Sequence, residues 1–168
     1  MATTAQFTAI RVVCNNTLAV ALDDNKGAVK VPHSTAFDAK AVKQQLGISV
    51  SSWDNFMCRM KLLSERKAKH SEAEQFFKQL HSDRKQVATL APNEHAMRKT
   101  LSIYNAQGRG AELGSAKDTA LGLLNSITEF VDHERRSRNS DYRLGSAWFG
   151  QGATLKQSAL EHTFLILA

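Results

Sequence analysis

The stretch Asp118–His162 constrains this chain most. Within it Leu121, Leu124, Ile127 and Val131 recur at steps of three and four, a spacing that only a helix brings onto one buried face. The helix runs into a dense polar patch of Glu129, Asp132, His133, Glu134, Arg135, Arg136 and Arg138. A polar bend follows, then Trp148 and Phe149, then a Gly150–Gln151–Gly152 turn opening a last helix through Lys156 to His162. The segment reads as two helices joined by an arginine-rich, aromatic, glycine-flanked loop.

Around it the pattern is mostly helical. Phe7 to Leu22 places Ile10, Val13, Cys14 and Leu18 at helical spacing, although Val12 and Val13 also suit the start of a strand. Asp23 to Gly27 is a turn, and Ala28 to His33 alternates as a short strand that Pro32 confines to an edge. It is the one clear strand signal. Residues 1–6 read as a frayed tail. Ser34 or Thr35 can cap a helix ending at Leu46, with Gly47 as its stop. Ser51 or Ser52 then opens a second helix with the stripe Trp53, Phe56, Met57, Met60 and Leu63, closing on Arg66, Lys67 and Lys69. Ser71 and Glu74 have capping-box spacing before Phe76, Phe77 and Leu80. Pro92 suits the first turn of a helix from Asn93 to Ala106. Gly108, Gly110 and Gly114 mark a flexible connector. The expected fold is mainly α: a single helical domain over residues 1–168, six or seven helices, with a small N-terminal β element (α+β at most).

The 22 Lys and Arg exceed the 16 Asp and Glu, and the surplus is uneven. Residues 61–110 hold ten basic against five acidic side chains, whereas residues 111–168 are nearly balanced. A net charge of +6 favours an acidic partner such as nucleic acid. Two cysteines, Cys14 and Cys58, form no CxxC pair, and both read as small core residues in a reducing compartment. No run reaches the ~20 apolar residues a membrane span needs, and no signal-peptide pattern opens the chain. The expectation is a soluble cytoplasmic protein of a bacterial cell.

Three constellations carry chemistry. Glu129 and His133 stand one helical turn apart with Asp132 beside them, but a metal site needs a third donor that the chain does not place nearby. Charge pairing with the following arginines is the plainer account. Gly150 to Lys156 has the glycines and the cation of a phosphate cradle without the P-loop spacing, and a close helix–helix approach explains the glycines better. Arg135, Arg136, Arg138 and Arg143 lie beside Tyr142, Trp148 and Phe149; arginines for phosphates and aromatics for bases compose a single-strand binding surface, or a protein hot spot. No nucleophile–base, zinc-protease or paired-carboxylate motif is present, so no enzyme, cofactor or metal is expected.

The ordered set RVVCNNTL (11–18), VPHS (31–34), NSITEFVDH (125–133), then Arg143–Leu144, Phe149–Gly150 and Leu155–Lys156, resembles the phage/plasmid-like family known as domain of unknown function 932. A tyrosine usually stands in that family where Phe130 stands here. Members carry a substantial segment ahead of RVVCNNTL, so this chain looks like the carboxy-terminal half. The resemblance implies a phage or plasmid setting and supplies no catalytic residues. The expected role is non-enzymatic: binding of nucleic acid or a host nucleoprotein complex through Arg135, Arg136, Arg138, Arg143, Lys156 and Trp148, with Arg66, Lys67 and Lys69 second. The alternative is an anti-CRISPR-like inhibitor of a host defence that binds protein. Homo-oligomerisation is left open by the sequence.

Overall fold

The computed structural model describes residues 4–5, 10–19, 31–32, 39–82, 93–110 and 112–167. Its described residues form a mainly α fold of six helices with a small N-terminal β element. The helices are α1 (Ala39–Glu65), α2 (His70–Ser82), α3 (Glu94–Ser102), α4 (Ala120–Glu129), α5 (Ser140–Phe149) and α6 (Gln151–Leu167). Two π-helical turns extend α3 (Ile103–Gln107) and α4 (Phe130–Glu134). Strands β1 (Thr4–Ala5) and β4 (Val31–Pro32) pair antiparallel, as do β2 (Ile10–Val13) and β3 (Asn16–Ala19).

The stretch read as a helix from Phe7 is a hairpin over Ile10–Ala19. Arg11 faces Leu18, Val12 faces Thr17 and Val13 faces Asn16. Period-two alternation puts Arg11, Asn16 and Leu18 on an inner face, all buried, while Val12 is 61% exposed. Cys14 and Asn15 take φ of 51° and 63°, the left-handed pair that a type I′ hairpin turn demands. Asparagine tolerates that region, and β-branched Val12, Val13 and Thr17 fit the flanking strands. Turn chemistry and packing against the helices overrode a weak helical spacing. Cys14 is consequently exposed at the turn, and Cys58 is exposed on α1, so neither belongs to the core.

The two helices expected around Gly47 are one. Helix α1 runs through Gly47, Ser51 and Ser52 without a break; an internal glycine costs about 1 kcal/mol against alanine, which a long packed helix absorbs. Of its expected stripe, Phe56, Met60 and Leu63 are buried, but Trp53 and Met57 are exposed. The capping box also shifts. Helix α2 begins at His70, and Glu72 rather than Glu74 reaches back to accept the Lys69 N–H at 2.8 Å. Helix α3 is capped by Asn93, whose Oδ1 accepts from Ala96 N at 3.1 Å. Thr4 and Ala5, assigned to a frayed tail, pair with Pro32 and Val31. The turn at 23–27, the strand residues 28–30 and 33, and the caps at Ser34, Thr35 and Pro92 lie outside the described residues.

Helix α4 is the centre. Thr119 caps it, accepting from Gly122 N at 3.1 Å. Every residue from Ala120 to Glu129 is buried except half-buried Asn125, so the helix is enclosed on nearly all sides rather than on one face. Its polar side chains are satisfied locally: Ser126 donates to Gly122 O and Thr128 to Asn125 O, both at 2.8 Å. Leu123, Leu124 and Ile127 join Leu63 of α1, Phe77 of α2 and Leu160 of α6 in the core. The α1–α2 turn docks on the start of α4, with Ala68 N donating to Asp118 O at 3.0 Å and Ala120 N to Arg66 O at 2.9 Å. The glycine connector is tied in as well: Glu129 accepts the Arg109 N–H at 2.9 and 3.0 Å.

Gly122 has no room for a side chain. A Cβ there would overlap the Ala116 carbonyl oxygen and sit 3.3 Å from the Tyr104 ring. Gly145 in α5 has nothing within 4 Å. Gly122→Ala is expected to lower unfolding stability by about 1–3 kcal/mol, and Gly145→Ala to raise it by about 0.5–1 kcal/mol. Urea unfolding followed by circular dichroism measures both; a Gly122→Ala variant as stable as the parent contradicts this packing.

Candidate functional site

The π-helical turn at the end of α4 sets the site. An i→i+5 turn, closed by Arg135 N donating to Phe130 O at 2.7 Å, widens the helix by a residue just as it leaves the core. Phe130 and Val131 stay buried there, and Asp132 turns toward the hairpin and α6. Its Oδ2 accepts from Thr17 N at 2.5 Å and from Thr17 Oγ1 at 2.9 Å. Its Oδ1 accepts from Lys156 Nζ at 2.9 Å. Lys156 also donates to Thr17 O at 2.7 Å, so its ammonium is saturated. Side-chain exposures of 3% and 8% make this a buried ion pair. Burial pushes the Lys156 ammonium below the ordinary lysine value, against the opposing pull of Asp132.

Lys156 therefore does not stand on the surface where a phosphate contact was expected. The glycines ahead of it serve close packing: a Cβ on Gly152 would lie 2.7 Å from Val131 Cγ1 and 2.8 Å from Ser146 O. Four more of the expected residues have structural partners. Arg66 holds Glu72 through two bonds, at 2.7 and 3.1 Å, and keeps that carboxyl at about 2. Arg135 joins α5 to α6 by donating to Ser146 Oγ and Gln151 Oε1. Arg143 donates to His133 O at 2.9 Å. Arg138 lies over the exposed Tyr142 ring at 5.7 Å. Arg136, Lys67 and Lys69 are exposed, and Trp148 is 39% exposed.

The two basic clusters do not form one patch. Lys67 bridges to Thr119 at the start of α4, and Arg135 follows the end of its π-helical extension. About fifteen helical residues intervene, roughly 20 Å. The segment read as a loop before Trp148 is mostly helix α5, capped by Asn139, which accepts from Tyr142 N at 2.9 Å. Only residues 135–139 are non-helical.

Residues 137–139 and α5 form the rim of a cleft of about 550 Å³, lined by Asn15 and Thr17 of the hairpin, His133, Arg138, Arg143 and Trp148, among others. Asp132 also lines it, but its charge is neutralised by Lys156. Arg143 Nε and His133 Nε2 are buried there with no hydrogen-bond partner among the described residues. The cleft thus offers cationic and imidazole nitrogens beside an indole. The proposed pairing of Glu129 with His133 is not formed: Glu129 is taken by the Arg109 backbone, and Glu134 pairs with Lys99 at 3.2 Å. No group of three His, Cys, Asp or Glu side chains among the described residues is placed to hold a metal. Among the described residues no helix is long and apolar enough to cross a membrane.

Sequence reasoning missed the Thr17–Asp132–Lys156 cluster. The signal was present in RVVCNNTL and TEFVDH, which meet here, but nothing in spacing says that segments 115 residues apart touch. The family model described as Domain of unknown function (DUF932) matches residues 1–148. Comparison with the curated proteins and with the solved structures gives no match.

Breaking a buried ion pair by removing one partner costs about 3–5 kcal/mol. Asp132→Asn is expected to destabilise by about that amount, and Asp132→Asn with Lys156→Met to recover part of it. Because the folded-state value of Lys156 lies below the unfolded one, the unfolded chain holds more protons between the two. Lys156 should therefore contribute more stability as pH climbs toward 10.5. Urea midpoints should rise more steeply with pH in the parent than in Lys156→Met as pH approaches 10.5; equal slopes would contradict the assignment.

Proposed function

We propose, for a chain that belongs to the DUF932 family, a non-enzymatic role in binding nucleic acid or a nucleoprotein complex. The observation that supports it is the cleft beside α5. Two arginines and an imidazole gather there around a partly exposed indole, and Arg143 Nε and His133 Nε2 have no partner among the described residues. A buried guanidinium N–H left unpaired is costly, and a phosphate oxygen satisfies it, as it does the His133 nitrogen when that carries a proton. Trp148 and Tyr142 beside it supply faces on which bases stack. Exposed Arg136, two residues before Arg138, adds a further positive charge. Lys67 and Lys69, at the other end of α4, form a second and separate contact. The setting we propose is a phage or plasmid gene product acting in the cytoplasm of a bacterial host.

Each phosphate neutralised on a single strand steepens log affinity against log salt by about 0.7, and on a duplex by about 0.9. Arg136→Gln with Arg138→Gln should therefore flatten the single-strand slope by about 1.4 and weaken binding at moderate salt. Fluorescence anisotropy with labelled oligonucleotides reads both. Affinity that ignores salt, or a double variant that binds like its parent, overturns the proposal.

A second reading has its own observation. Tyr142, Leu144 and Phe149 on α5 are 60%, 54% and 70% exposed, next to the arginines. Aromatic and arginine side chains grouped in this way suit a protein hot spot, as an inhibitor of a host defence would require. Capture from host lysate with and without nuclease separates the two, and loss of every partner after nuclease removes the inhibitor reading.

A further inference from the structure

Across the hairpin turn from the arginine cleft lies a second pocket, of about 270 Å³. Cys14 and Asn16 line it from the hairpin, Asn125 and Glu129 from α4, Tyr104 from the π-helical turn after α3, and Gly108 from the connector. Lys117 and Asp118 lie at its edge, both exposed.

Asn16 is 5% exposed, and its Oδ1 is buried with no hydrogen-bond partner among the described residues. A buried amide oxygen left unbonded is an uncommon feature that calls for a reason. Asn125 is oriented by Arg11, which donates to its Oδ1 at 3.0 Å. A guanidinium can only donate, so the oxygen must face Arg11 and the amide NH₂ is left to donate elsewhere. One turn along the same helix, the Glu129 carboxylate is fixed by the Arg109 N–H and keeps accepting capacity on both oxygens. The pocket therefore holds a fixed donor, a fixed acceptor and an amide that can act as either. The Tyr104 ring is fixed beside them, its hydroxyl donating to Ala68 O at 3.0 Å.

We infer that this pocket binds one nucleobase bearing an exocyclic amino group, with Glu129 accepting from the amino N–H, Asn125 donating to a ring nitrogen or carbonyl, and Asn16 completing the edge. The inference deepens the nucleic-acid reading and rests on it only for the origin of the base. A phosphate does not suit a pocket with a carboxylate in its wall. Uracil suits it poorly, since its one ring N–H is flanked by two carbonyl oxygens that would face Glu129. Neighbouring residues of the hairpin point to the two pockets in turn: Asn16 lines this one, and Asn15 and Thr17 line the arginine cleft. A strand crossing the turn can place a phosphate on one side and its base on the other.

The test titrates the full chain with adenosine, guanosine, cytidine and uridine, read by calorimetry and by amide chemical shifts. At least one amino-bearing nucleoside should saturate binding, with uridine at least tenfold weaker. Asn16→Leu should lose that binding at least tenfold while its thermal midpoint stays level or rises, because an apolar side chain of similar size relieves an unsatisfied amide. Shifts should centre on Asn16, Tyr104 and Asn125. Competition with a labelled oligonucleotide assigns the source: displacement marks a base of a bound strand, and simultaneous binding marks a free nucleoside or nucleotide. No binding of any nucleoside at millimolar concentration, equal binding of all four, or an Asn16→Leu variant that binds unchanged overturns the inference. Those failures leave the salt-dependent oligonucleotide binding of Arg136 and Arg138 standing, and loss of that binding leaves nucleoside binding standing.

Discussion

The buried pair of Lys156 with Asp132 joins parts of the chain that sequence holds far apart. Lys156 belongs to the last helix, Asp132 to the π-helical turn after α4, and Thr17 to the N-terminal hairpin, 139 residues before Lys156. Two charges taken out of water repay their desolvation only when every lone pair and proton finds a partner. Here Thr17 supplies the remainder: its N–H and hydroxyl bond Asp132, and its carbonyl bonds Lys156. The remaining bonds of the pair form only when the hairpin is docked, so burying it specifies where the hairpin sits. The walls of both pockets depend on that docking.

The helix that carries Asp132 is shaped for this purpose by its irregularities. A regular continuation of α4 would carry its side chains around in steps of 3.6 residues per turn. The wider turn at Phe130–Glu134 keeps Phe130 and Val131 in the core and delivers Asp132 and His133 to the hairpin side. The corresponding turn at Ile103–Gln107 ends next to Gly108, where a Cβ would collide with Ile103 and come within 3.1 Å of Glu129 Oε2. Gly108 thus lets the connector come close to Glu129, whose carboxylate accepts the following N–H. Both π-helical turns border pockets, the usual company of such turns.

Much of the helical architecture was legible in the sequence. Leu121, Leu124, Ile127 and Val131 mark α4 correctly because a 3.6-residue period survives whatever packs against it. The helix expected from Asn93 does start there, although it is the Asn93 side chain that caps α3, a role the sequence reading had not assigned to it. The glycines before Lys156 were read correctly as a close-approach device, for Gly152 leaves no space above Val131 and Ser146. The hairpin was not legible, because ten residues of mixed apolar pattern satisfy either period, and only docking on α4 and α6 chooses. Gly47 misled in the opposite sense: a helix stop is a local preference of about 1 kcal/mol, which burial along α1 exceeds.

What the sequence determined by itself is the set of elements and their apolar faces, together with a basic, aromatic segment near the C-terminus. These follow from local periodicity, cap chemistry and charge count, none of which needs a distant partner. Tertiary structure alone decided which charges remain available. It took Lys156 into the core, tied Arg66 to Glu72 and Arg135 to Ser146 and Gln151, and left Arg136 on the surface. It also set Asn16 in a wall where its amide oxygen has no bond among the described residues. The physical reason is that a cation's role depends on which acceptors surround it, and those acceptors, from six residues away for Arg66 to 139 for Lys156, are brought into place by the packed turns and helices rather than announced by any local pattern.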